Sequence, residues 1–184
     1  MHSQLSAANK ALFTIATIFN IFENLRQFYI DVDGVRQNPQ RALLMDSPQP
    51  GMMQTVHFDF DSINYFLDQD GDVCSMALME LQVLDWHFQV VVNTVELRSK
   101  AFDELHKQIQ AHPVVNSTLD LIPTLYSAQY GRLATLTDHM IEQVDEGIAS
   151  AKKMYTTMQT ALQIMFPGQD FLKVNFVEQP KTQQ

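Results

Sequence analysis

The chain has 184 residues, 46% of them hydrophobic and 18% charged, and 12 Lys and Arg stand against 21 Asp and Glu for a net charge of −9. That is enough chain to bury about 70% of its unfolded surface in one core, and it is too apolar and too sparsely charged for disorder. Six Gly, seven Pro and one Cys exclude collagen-like and disulfide-stapled folds, and the lone Cys74 fits a reducing compartment.

In chain order, Ser3 to Tyr29 reads as a helix. Leu5, Leu12, Ile15, Phe19, Phe22 and Phe28 recur mostly at three- and four-residue steps, and Ile18, Ile21 and Leu25 add a second apolar row. Between them lie Thr14, Thr17, Asn20, Asn24 and Gln27, with only Lys10, Glu23 and Arg26 charged. A solvent-facing helix carries more charge than this, so burial on more than one side is expected. The run Ala11 to Phe22 is too short and too polar to span a bilayer. It also lacks the basic start and cleavage site of a secretory signal. A cytoplasmic protein without a membrane partner is expected.

Residues 31–72 read as a small α/β appendage. Asp33-Gly34 is a turn signal, Asn38-Pro39 opens a short helix through Met45, and Ser47 to Gly51 ends it. Val56, Phe58 and Phe60 then alternate with His57, Asp59 and Asp61 as a strand would. In the C-terminal segment 167–184, Leu172, Val174 and Phe176 alternate in the same way and would pair with the first strand.

Asp72 to Ala111 carries the strongest pattern. Ala77, Leu81, Leu84, Phe88, Val91, Val95, Phe102, Leu105 and Ile109 follow a four-three spacing interrupted only by Arg98, the seam of one long helix. His112-Pro113 stops it. Asn116 or Ser117 caps the next helix, which runs to Phe166 with Leu119, Ile122, Tyr126, Leu133, Leu136, Met140, Gly147, Ala151, Met154, Met158 and Met165 as its seam. Pro123 would kink its start. So short a link demands an antiparallel hairpin. The predicted fold is mostly α: this long hairpin and the N-terminal helix forming a three- or four-helix bundle, with the appendage, in a single domain over 1–184.

The acidity is concentrated. Between Arg41 and Arg98 there are nine acids (Asp46, Asp59, Asp61, Asp68, Asp70, Asp72, Glu80, Asp85 and Glu96) and no Lys or Arg, while the rest of the chain is neutral. No basic stripe is present for a nucleic-acid backbone; a basic protein partner or a cation suits this segment better. Asp68, Asp70 and Asp72 offer oxygen ligands at alternate positions and are the candidate metal ligands. Counting from Asp68, however, Val73 and Met79 stand where a calcium loop needs Gly and an acid. An acidic turn at a helix N-terminus explains the same residues. In the predicted hairpin His87 falls near His139, with Asp85 and Glu142 at that level, but the Glu-x-x-His pairs of dinuclear bundle sites are missing.

Arg132 and His139, with six residues between them, resemble the Arg-x(4–6)-His signature of the HEPN ribonucleases. The resemblance implies metal-independent RNA cleavage at a dimer interface, Arg132 stabilising phosphate charge and His139 moving a proton. It also implies a helix break at Gly131. The polar residue and Tyr that accompany that signature are replaced by Met140-Ile141. No phosphate loop, nucleophile elbow or Cys-x-x-Cys is present and no cofactor is expected. Trp86 lies off the seam, placed either to pack on the first helix or to anchor an interface. The primary expectation is a non-enzymatic interaction module, a homodimeric adaptor or regulator with Ile18, Ile21, Leu25 and Trp86 at its interface. The alternatives are the ribonuclease and a divalent-cation binder through residues 59–72.

Overall fold

The computed structural model describes residues 2–48, 53, 56–66, 72–111, 119–174 and 176, and its regular structure there is helical throughout. Helix α1 (His2–Leu25) continues into a wider π-helical turn, Arg26–Ile30. Both apolar rows of α1 are used: Leu12, Ile15, Ile18, Phe22 and Leu25 are fully buried. The polar residues between them are satisfied internally. The Thr14 and Thr17 hydroxyls donate to the carbonyls of Lys10 and Phe13, each at 2.9 Å. Buried Glu23 receives Arg26 Nη2 on both oxygens, at 2.7 and 2.9 Å. That internal pairing lets a helix with three charges sit against the core on several sides. Phe28 departs from the expected row; the wider turn changes the angular step and leaves it 60% exposed. Taken through Ile30, this helix is long and apolar enough to cross a membrane by length and composition, more than the short run Ala11 to Phe22 suggests. Half of its most apolar window is buried inside the fold.

Helices α4 (Asp72–Gln110) and α6 (Ser127–Met165) have 39 residues each, about 58 Å at 1.5 Å per residue. They run antiparallel. Glu80 meets Lys153 at 2.8 Å, His87 meets the Gln143 carbonyl at 2.8 Å, Arg98 meets Thr137 at 3.1 Å and Glu104 meets Arg132 at 3.2 Å. The expected seam of α4 is buried from Ala77 through Val95. Beyond Val95 it changes: Arg98 is itself fully buried, and Ala101 replaces Phe102 in the interior. On α6 the buried side is Leu133, Thr137, Met140, Val144, Gly147, Ala151, Met154 and Met158.

Helix α1 lies along α6, and Gly147 shows how closely. A Cβ built there would stand 2.5 Å from the Phe22 ring, which also meets Phe88 edge-on at 5.8 Å between centroids. Pro123 does more than kink. It sits in a separate short helix, α5 (Ile122–Leu125), and Tyr126, at φ −122° and ψ 42°, breaks the chain before α6 starts. The expected caps at Asn116 and Ser117 lie outside the described residues.

The segment after α1 is a 3₁₀ stretch, Val32–Gln37, turned by Asp33 and Gly34 at φ 45° and 73°. Asn38 Oδ1 accepts from the Gln40 N–H at 2.8 Å ahead of α2 (Arg41–Leu44). Two ion pairs fasten this segment to α6: both Arg36 Nη atoms reach Asp145, at 2.6 and 3.0 Å, and Arg41 reaches Asp138 at 2.8 Å.

The two expected strands are corrected, since no strand occurs among the described residues. Phe60 begins a helix, α3 (Phe60–Ile63), capped by Asp59, whose carboxylate accepts from the Ser62 N–H and hydroxyl. The Phe58 N–H goes to the Asp85 carboxylate at 3.4 Å. Near the C-terminus the Leu172 N–H goes to Asn9 Oδ1 at 2.9 Å and the Val174 N–H to the Tyr155 hydroxyl oxygen at 2.6 Å. Side chains of long helices satisfy these backbones one group at a time. The apolar alternation reflects one side of an extended segment packing on helices: Phe58 is buried, and Phe176 meets Phe19 and Tyr155 edge-on.

Candidate interaction surface

Helix α4 is apolar on two opposite faces. Its buried seam occupies two positions of each heptad. On the far side, about 200° round the helix at 100° per residue, Met76, Met79, Val83 and Trp86 repeat the same three-four spacing in solvent. They are 54%, 66%, 60% and 67% exposed. The half-buried Val90 and Leu97 extend the row, with polar Asn93 between them, and exposed Val73 lies in the first turn to one side of it. Of the thirteen large apolar side chains exposed among the described residues, five lie on these fourteen residues of α4; the others are scattered. Scattered apolar residues are ordinary on a surface, whereas an ordered row of them indicates a contact face. Sequence reading missed Met76, Met79 and Val83, although the signal is legible: the row runs one position ahead of the seam, 76 against 77 and 83 against 84.

Trp86 stands clear of α1, which corrects the reading that packs it there. Ile18 and Leu25 are also corrected as interface residues. Both are fully buried in this chain's own core, where a second copy reaches them only by opening it; Ile21 is half-buried.

A buried polar node lies further along the hairpin. Arg98 Nε donates to Thr137 Oγ1 at 3.1 Å, and its Nη atoms donate to the carbonyls of Ala42, Met45 and Asp46 around the C-terminal end of α2. The Thr137 hydroxyl in turn donates to the Leu133 carbonyl at 2.8 Å. Burial pushes the Arg98 pKa down to about 10, against a weaker upward pull from Asp46. The node separates two apolar cores, a large one shared by α1, α4 and α6 and a small one of Ala42, Ala101, Leu105, Ile122 and Leu133. The residue that interrupts the seam therefore joins α2 to the hairpin, each of its three guanidinium nitrogens donating to a protein acceptor.

The other candidates are dispersed. Arg132 and His139 are both exposed, two turns apart on α6, and Arg132 pairs with Glu104 at 3.2 Å; α6 passes through Gly131 without the expected break. His87 Nε2 is 2.8 Å from the Gln143 carbonyl, which can only accept, so that nitrogen carries hydrogen and is not a free ligand. Asp68 and Asp70 lie outside the described residues, and Asp72 is exposed in the first turn of α4. Asp59 is occupied by Ser62 and Lys10, which hold its carboxyl below the usual range. Among the described residues no three His, Cys, Asp or Glu gather where they could hold a metal. Cys74 is buried, and burial raises its thiol pKa, which makes it unreactive. No protein family, curated protein or solved structure matches the chain; the class it can be given is that of mostly helical proteins.

Proposed function

We propose that this chain is a non-enzymatic helical interaction module, a cytoplasmic adaptor or regulator that engages a protein partner through the outer face of α4. In this reading α1, α4 and α6 form a three-helix bundle whose job is to present α4. The row Met76, Met79, Val83 and Trp86 carries the reading, because covering four large side chains at heptad spacing removes much apolar surface from water. A sole Trp and two Met suit an adaptable contact with an aromatic anchor. A second copy on this row would be the homodimeric form of the module.

The test is a photo-crosslinking residue placed in the protein in its own cells, at Trp86 or Met79, with exposed Glu142 of α6 as reference. We expect one discrete adduct from both α4 positions, absent from position 142 and lost on adding Val83→Glu. Equal labelling at all three positions, or none, would overturn the reading.

A further inference from the structure

We infer that the occupant of the outer face of α4 is a basic amphipathic helix of about three heptads. This inference rests on the interaction reading above and names the partner's chemistry. The face lies along one unbroken helix, and from Met76 to Leu97 it runs about 32 Å at 1.5 Å per residue. A ridge of that length takes a second helix alongside it, the partner's apolar seam meeting Met76, Met79, Val83, Trp86, Val90 and Leu97.

Charge selects the partner. The ridge lies wholly inside the base-free stretch between Arg41 and Arg98. Glu80 flanks it on one side and Glu96 on the other, with Asp72 at its start; between them come Gln82 and Gln89, which are uncharged. Two cations stand by the ridge: Lys153, at 2.8 Å from Glu80, and exposed Lys100, which follows Leu97 at its far end. A helix with Lys and Arg flanking its apolar row is therefore complementary, and flanking charges choose partners in paired helices.

The same charges disfavour the alternatives. Two copies laid antiparallel about Val83 bring Glu96 of one close to Asp72 of the other. Laid parallel, Glu80 and Glu96 each face the uncharged opposite flank of the other copy, and no Lys or Arg in the stretch supplies an attractive pair in either arrangement. Anionic lipid would be repelled in the same way.

The probes are two dye-labelled three-heptad peptides with Leu at both seam positions, one flanked by Lys and Arg, the other by Glu. Each repels itself equally, so the comparison isolates the charge of the face. Anisotropy reports binding, and Trp86, the sole Trp, reports location through its emission. We expect the basic peptide to bind at least about tenfold more tightly than the acidic one, to shift Trp86 emission to the blue, and to lose much of that advantage as salt rises. Met79→Gln with Val83→Gln, which removes the apolar contact without changing the charge, should weaken it at least about tenfold at unchanged circular dichroism and Tm, because both sites are exposed. Equal binding of the two peptides, or binding of neither, would overturn the inference. So would a homodimer in sedimentation that buries Trp86, or a blue shift with anionic vesicles. An adduct from position 86 to a second copy or to an acidic partner would leave the contact face standing and sink only the basic helix.

Discussion

At Arg98 a guanidinium stands among apolar side chains with four acceptors around it, and its replacement measures what those acceptors are worth. Arg98→Lys supplies one compact ammonium that cannot reach Thr137 and three carbonyls together. Leaving buried carbonyls dry and a charge poorly paired should cost about 3–5 kcal/mol, read from urea unfolding. A loss under about 1 kcal/mol would mean that α2 does not depend on the node. Gly147 poses a packing question. Gly147→Ala gains about 1 kcal/mol of helix propensity but drives a methyl into the Phe22 ring, which Phe88 prevents from yielding. We expect a net loss of about 1–3 kcal/mol, whereas Gly131→Ala, with nothing within 4 Å of its Cβ, should gain about 0.5–1 kcal/mol. Tyr65 offers a pH test. Its hydroxyl donates to the Gln4 carbonyl at 2.9 Å, and burial pushes its pKa from 10.0 up to about 12. Between those values the unfolded chain gives up the proton and the folded one keeps it. Its contribution is therefore complete below pH 10 and lost as pH rises through about 12. Tyr65→Phe should begin less stable and fall less steeply across that window; parallel curves would contradict the assignment.

On the scale of elements, periodicity shows which residues share a face but not which face is covered. In α4 the four-three row through Phe88 and the row through Trp86 are equally regular; only the first meets α6. The α1 rows through Ile15 and Ile18 read as one covered and one open, yet the same chain buries both. Spacing held for the hairpin and its direction, because a seam of that length must be covered and the link is short. It failed for the strands, because alternation appears wherever an extended segment lies on helices, and Asp59 capping Ser62 decided the local structure instead. It failed at Arg98, where a charge on the seam reads as an interruption until the α2 carbonyls are brought to it. The seam itself is tested by truncation. Phe88→Ala should cost about 3–5 kcal/mol. Gln89→Ala should cost no more than about 1 kcal/mol, because Gln89, though off the seam, donates to the Val56 carbonyl at 3.2 Å. Equal losses would show that the seam is misplaced.

For the whole molecule, the arrangement separates stability from display. Arg98 and Arg41 fasten α2 to the hairpin, Arg36 ties the 3₁₀ stretch to α6, and Phe22 locks α1 against Gly147, all away from the outer face of α4. That face contributes little to the chain's own core, so it is free to serve a partner. Its residues also report their own covering, because Met and Trp are readily oxidised when exposed. The most direct measurement is oxidative footprinting of the purified protein and of the same protein inside its own cells. Phe13 and Phe28, 64% and 60% exposed on and just beyond α1, serve as references. We expect Met76, Met79 and Trp86 to be labelled in the purified protein and protected in cells, with Phe13 and Phe28 alike in both. Equal labelling of the α4 row in the two settings would contradict the account.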